Sequence, residues 1–522
     1  MTMTTAATTT NAAHRQGSAH VIARGASGRL FYESYANEFT DIANTAKDPL
    51  FSLQDVIRWK RLLETRGRLL KQRGLRLYIL IAPDAHFIYR DEVPPHIVLP
   101  ARSPAQQFTE LFAGIDNVTI INPEKALIAA RGGIDVYKVN DTHWSAHGAF
   151  VAYRCLLDAF PPGTPMRPLT AGDVSYRPQR SFGDLGALVD PEVTADIPVA
   201  SVRDGNCKSA HEYAGEGRNA WKRFESSRGR GHAFIPRDSF ATELGIFCNE
   251  TFARVDWVGG TSRLHLEAID EEKPDVVIWQ LAERRLFHVE HDHHAKTAYE
   301  IYAFDRSTPF GKQALDAYAD QVQGNLAQAL EHARAAALHP DADAPYRYLL
   351  AELLQANGLC EEAAIVIKRA IAQQENRPAY WHLLSVISRR CGDNAAAAYA
   401  SQRAVDLFAH NAHFVADHGF NLLALGRISD AIDVMQGCRD LVSDAPHLSY
   451  WLAQAYLRVG DMQNARNEAI NAYLLLPQHA EIFQLVWMIE DRCDVARKLS
   501  LQPRTETLIA TTRDADEQGV RL

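Results

Sequence analysis

Residues 139–149 read VNDTHWSAHGA, which puts an acid, Asp141, two residues before a histidine, His143, with Trp144 and a second histidine, His147, close behind. A carboxylate this close to an imidazole can accept a hydrogen bond from one ring nitrogen and leave the other free to take a proton. In an extended segment the two side chains would point the same way. That chemistry needs a nucleophile, and the run Arg237-Asp238-Ser239-Phe240 offers one. It follows the apolar stretch HAFIP and precedes a helical pattern, so Ser239 would stand at a strand-to-helix turn. A helix start there brings free N–H groups and a favourable dipole for a developing oxyanion. The same residues also fit plain capping: Asp238 or Ser239 as one N-cap, Ser145 as another. Trp144 would fix its turn by burial, and His147 would lie at the surface or behind His143.

These residues need elements to hold them. LRLYILIAP (75–83), NVTIINP (117–123), HAFIP (232–236), RVDWV (254–258) and DVVIWQL (275–281) are short apolar runs, as strands buried on both faces are. Helical patterns alternate with them: DVIRWKRLLETRGRLLKQRG, SAHGAFVAYRCLLDAF, SFATELGIFCNETF and SRLHLEAIDEE. The alternation predicts an α/β domain, a parallel sheet covered by helices, with sites at the C-terminal ends of its strands. Residues 161–231 break the rhythm with Pro, Gly and charge and predict an excursion over one edge, flexible around GRNAWKRFESSRGRG. VEHDHH (289–294) packs three histidines and two acids together; adjacent ligands rarely converge on one ion, so a solvated turn and no metal is expected.

The second half repeats. Gly324, Gly358, Gly392, Gly426 and Gly460 recur every 34 residues. Each has an alanine five residues later (Ala329, Ala363, Ala397, Ala431, Ala465) and a small residue seven earlier (Ala317, Ala351, Ser385, Gly419, Ala453). Small side chains at these offsets let two antiparallel helices approach, with glycine in the turn between them. This period resembles the tetratricopeptide repeat family and implies an all-α superhelix over residues 310–478 whose groove takes a protein or peptide partner. A capping helix is expected at 479–499, and disordered tails at 1–20 and 500–522.

Bulk properties agree with two or more domains in 522 residues. The chain is 47% hydrophobic with net charge −9, which gives no electrostatic reason to expect nucleic acid or an acidic membrane as a partner. Seven scattered cysteines without a CxxC predict free thiols and no cysteine zinc site. Neither a signal peptide nor a transmembrane segment is legible, so the expected location is cytoplasmic.

Residues 21–305 resemble the SGNH-hydrolase-like domain of the alginate O-acetyltransferase family, the one marked by Asp-x-His-Trp. GASGRLFY, RLLKQRGLRLYILIAPDAHFIY, VNDTHWSAHGA, SFGDLGALV, AFIPRDSFATEL and KPDVVIWQLAERRL carry the resemblance, in that order. Arg29 stands where the family has an aromatic, and Ala85, with His86 beside it, where a lysine is common. The resemblance implies Asp141 as orienter, His143 as general base and Ser239 as nucleophile in ping-pong acetyl transfer to a carbohydrate hydroxyl. Relatives work outside the cytoplasmic membrane on exopolysaccharides. Trp144, Glu283, Arg284, Arg237 and His86 are the candidate substrate contacts. No cofactor is implied; the acetyl donor is open, acetyl-CoA being one option. An esterase with the same triad and a non-catalytic scaffold are the alternatives.

Overall fold

The structure is a computed structural model and describes residues 22–32, 50–190, 194–214, 220–259, 263–288 and 292–492. The expected tails, Glu290 and His291 fall outside these residues. The described residues divide into two compact units: one holds those from 22 to 292 together with 296–315, the other holds 293–295 and those from 316 to 492.

Among its described residues the first unit has eleven strands: β1 (Ile22–Arg24), β2 (Leu30–Tyr32), β3 (Leu77–Ala82), β4 (Val118–Ile121), β5 (Val174–Phe182), β6 (Thr194–Val202), β7 (Lys208–Ala214), β8 (Ala220–Glu225), β9 (His232–Arg237), β10 (Arg254–Gly259) and β11 (Val276–Ala282). Seven form one sheet in the order β4-β3-β11-β9-β10-β8-β7. The first five of these are parallel, and β8 and β7 add an antiparallel edge. Every residue of β3 (LYILIA) and β11 (VVIWQLA) is buried, which is why both read as unbroken apolar runs. The neighbours β3, β11 and β9 run parallel, so their C-terminal ends lie side by side and the loops that follow them converge.

The edge differs from expectation. AWKRFE, in the stretch predicted to be flexible, is strand β8; residues 217–219 of that stretch lie outside the described ones. Its polar sequence is held by one buried acid: Asp256 on β10 accepts from Trp221 Nε1 and Arg223 Nε, both at 2.8 Å. Burial opposes the charge of Asp256, but His232 and Arg223 outweigh it and hold its carboxyl down at about 2. The excursion also includes an antiparallel ribbon of β5 and β6. Of VEHDHH, the described Asp292 is not part of a solvated turn either. Asp292 takes a two-pronged ion pair from the buried Arg66, at 2.8 and 2.7 Å, and accepts from Leu264 N.

Helical hairpins follow, the first helix beginning within the last residues of the first unit: Pro309–Val322 with Leu326–Ala337, Ala344–Ala356 with Cys360–Gln373, Pro378–Arg390 with Asn394–Leu407, Ala412–Ala424 with Ile428–Leu441, and Pro446–Arg458 with Met462–Leu475, then Ala480–Arg492. The five periodic glycines occupy the turns at φ between +74° and +80°, where a side chain would meet space but a strained backbone. The alanine five residues after each glycine is fully buried. Where the earlier small position is Ser385, its hydroxyl accepts from the buried Asn421 amide at 2.9 Å, so the polar atom enters a satisfied network. No helix among the described residues is long and apolar enough to cross a membrane.

Candidate active site

The loop with the Asp-x-His pair is anchored before it reaches the site. Tyr137 pairs with Trp144 as an antiparallel bridge, and Ser145 N donates to Val136 O at 2.9 Å. From outside, the buried Arg29 donates to the carbonyls of Tyr137 (3.0 Å) and Lys138 (3.2 Å) and pairs with Asp135 at 2.7 Å. Leu30 N on β2 donates to Val139 O at 2.8 Å. Ser145 Oγ then caps the helix Ala146–Asp158 by accepting from His147 N and Gly148 N.

Between these anchors the chain turns. Asp141 Oδ1 accepts from His143 N at 2.9 Å and lies 2.6 Å from His143 Nδ1. The acid thus closes a local turn around the residue it orients, a common use of Asp, where extended backbone was expected. His143 Nε2 lies 2.7 Å from Ser239 Oγ. Ser239 follows β9 and Asp238, whose carboxylate accepts from Phe240 N (3.0 Å) and from Ala282 N at the end of β11. Asp238 therefore ties two strand ends together and caps no helix; the helix Ala241–Thr251 begins without a side-chain cap. Among the described residues nothing accepts the Ser239 backbone N–H. Exposure falls along the chain of contacts: Ser239 is exposed, the His143 side chain 21% exposed and that of Asp141 11%. Burial opposes the charge of Asp141, but the bond to His143 and the charge on it prevail and hold its carboxyl at about 2.

The remaining expectations divide. Trp144 is wholly buried, donating Nε1 to Phe240 O at 2.8 Å with its ring edge-on to Phe240; it braces the two halves of the site and has no surface for substrate. Glu283 is also wholly buried, and its two oxygens accept from Asp84 N and Ala105 N, both at 2.7 Å. Burial, then the charge of Asp84, raises its carboxyl well above the usual range, so it staples loops and cannot contact substrate. Arg284 does reach the site. It lies over the Phe240 ring, 5.2 Å from its centre, and 3.5 Å from Asp84. With His86 and Tyr32 it lines a small depression that includes Asp141. His86 packs on Phe31, and burial lowers its basicity. Arg237 lines a separate cleft of about 550 Å³, together with Thr242, Ile246 and Trp257, whose lining does not include Ser239. His147 is half-buried and edge-on to Tyr176.

One residue of the site had no assigned role in the sequence. Asp184 accepts from Thr142 N at 2.7 Å and Thr142 Oγ1 at 2.5 Å, and its Oδ2 lies 3.6 Å from His143 Nδ1. It lies in SFGDLGALV, whose place in an ordered series of blocks was the only signal. The ligand atoms of Asp141, His143 and Asp184 fall within 4.8 Å of one another. The direct bond from Nδ1 to Asp141 accounts for that closeness without an ion.

An α/β unit built on a mixed sheet, which brings an acid, a histidine and an exposed serine together, is followed by helical hairpins. Residues 39–202 match the family described as SGNH hydrolase-like domain, acetyltransferase AlgX. The match contains Asp141, His143 and Asp184 and ends before Ser239. No curated protein matches the chain. Among solved structures, Bacillus cereus PatB1 with a sulfonyl adduct is 14% identical with a TM-score of 0.40, covering 52% of this chain and 97% of its own. A DHHW family protein from Eubacterium siraeum is 13% identical (TM-score 0.35), covering 46% and 86%. A tetratricopeptide-repeat protein of Thermus thermophilus is 18% identical (TM-score 0.30), covering 34% and 98%.

Proposed function

We propose that the first unit is a serine-dependent O-acetyltransferase acting through Ser239, His143 and Asp141, with a carbohydrate hydroxyl as acceptor. The observation that carries this reading is the continuous chain Ser239 Oγ–His143 Nε2 (2.7 Å) and His143 Nδ1–Asp141 Oδ1 (2.6 Å). Ser239 Oγ attacks the acyl carbonyl while His143 Nε2 takes its proton, and the same proton leaves with the donor's leaving group. The acceptor hydroxyl then gives its proton to Nε2 as its oxygen attacks acetyl-Ser239. The Oγ–acyl bond breaks and the proton returns to Oγ. Asp141 holds the Nδ1–H and balances the transient imidazolium. The unspent Ser239 N–H is the first donor to the oxyanion, and Arg284, over the ring of the next residue, Phe240, supplies a nearby cation.

The exposure of Ser239 favours a second reading, an esterase in which water is the acceptor. Residues 310–478 are proposed to dock a protein or peptide partner. Intact-mass spectrometry after exposure to an activated acetyl ester tests the triad: one acetyl adduct is expected on the wild type and none on Ser239→Ala. Candidate sugars added next separate transfer from hydrolysis. Equal labelling of Ser239→Ala would overturn the assignment.

A further inference from the structure

Asp184 belongs to no part of the triad, yet it grips the residue between two of its members. Thr142 separates Asp141 from His143, and Asp184 holds both its backbone N–H (2.7 Å) and its hydroxyl (2.5 Å). In return, Asp184 N donates to Asp141 Oδ2 at 3.3 Å, so Asp184 also orients the acid itself. Its own placement is fixed by a close backbone approach. Asn140 O accepts from Gly186 N at 2.9 Å, and a side chain on Gly183 would stand 1.9 Å from that same oxygen. The Asp141 turn is therefore clamped by the segment 183–186, which lies between strands β5 and β6.

We infer that Asp184 is a positioning residue of the Ser239 reaction: it fixes the Asp141–Thr142–His143 turn and sets a second carboxylate beside His143 Nδ1. The inference rests on the triad reading above. A carboxylate that swings loses its hold on the imidazole tautomer, and correct presentation of Nε2 to Ser239 goes with it. The carboxylates paired with His143 Nδ1 are Asp141 at 2.6 Å and Asp184 at 3.6 Å, while Lys138 pairs with Glu243 at 2.8 Å and Arg284 with Asp84 at 3.5 Å. Asp184 is the one of these whose carboxylate also binds the intervening residue.

The test uses the full chain and two independent readouts. The first is the downfield proton resonance of the hydrogen-bonded His143 Nδ1–H, assigned by its loss in Asp141→Ala, which needs no turnover. The second is the rate of Ser239 acetylation by an activated ester. Asp184→Ala is expected to lose or broaden the resonance and to slow acetylation about tenfold or more, whereas Asp184→Asn, which keeps an acceptor for Thr142 N, recovers much of both. A role confined to folding would lower the melting temperature and leave the resonance in place. Asp184→Ala with the wild-type resonance and wild-type rate overturns the inference and leaves the triad standing. Labelling of Ser239→Ala equal to wild type is the separate result that removes the triad.

Discussion

Asp141 and Asp184 face the same imidazole, yet folding moves their carboxyls in opposite directions. Asp141 is held at about 2, so its contribution to stability is complete above the ordinary carboxylate value and is lost as pH falls through about 2. Asp184 is raised, by burial and then by the charge of Asp141, so its ionisation costs stability at neutral pH and the cost disappears in acid. Asp184→Asn should therefore melt no lower than the wild type at pH 7 even though it reacts more slowly, while Asp141→Asn should melt lower. Both differences should shrink toward pH 2 in melts recorded across that range, and an Asp184→Asn variant clearly destabilised at pH 7 would contradict this. Such a site trades stability for reactivity. The sequence drew attention to Asp141, His143 and Ser239 because the first two stand two residues apart and the third follows an apolar run. Asp184 was not legible, since its partner Thr142 lies 42 residues away and no local rule joins them. Nor could type and position tell Glu283, buried under two backbone donors, from its neighbour Arg284, which reaches the site.

At the next level up, glycines distinguish elements that are crowded from elements that are merely bent. Gly183 is crowded: a methyl there would meet the Asn140 carbonyl, which is backbone and must move with the turn it belongs to. Gly183→Ala should cost on the order of a hundredfold in Ser239 acetylation, read by intact mass, and a wild-type rate would mean that the clamp is not needed. Gly358 is bent: φ is +78° and nothing lies within 4 Å. Gly358→Ala should lower stability by about 1 kcal/mol in urea titration and leave the Ser239 reaction alone. The parallel strands and the hairpins were readable because burial on both faces and a fixed period each leave a repeating mark. Strands β5 to β8 were not, because their stability comes from cross-strand partners such as Trp221 and Asp256, which a window of sequence does not contain.

The whole chain joins the unit that holds Asp141, His143 and Ser239 to a unit of helical hairpins. The cluster that packs around Tyr78, Trp144, Phe240 and Trp257 draws its members only from residues 23–282. The stretch just beyond it still belongs to this unit: Phe304 exchanges backbone hydrogen bonds with Ala214 on the edge strand, and Tyr302 OH donates to Gly259 O at 3.0 Å. A cut must therefore fall after Phe304. Removing the strap earlier would expose the β7 edge and leave Trp221 without the Tyr302 ring beside it. A chain ending near Pro309 should fold, melt cooperatively and acetylate Ser239 at the rate of the full chain, whereas one ending near residue 296 should aggregate. If the repeats dock a partner, the shorter chain keeps the small-ester reaction and loses co-purification of that partner. A chain ending near Pro309 that is folded but inert would mean that the repeats take part in the chemistry itself, and the two units would then have to be treated as one enzyme.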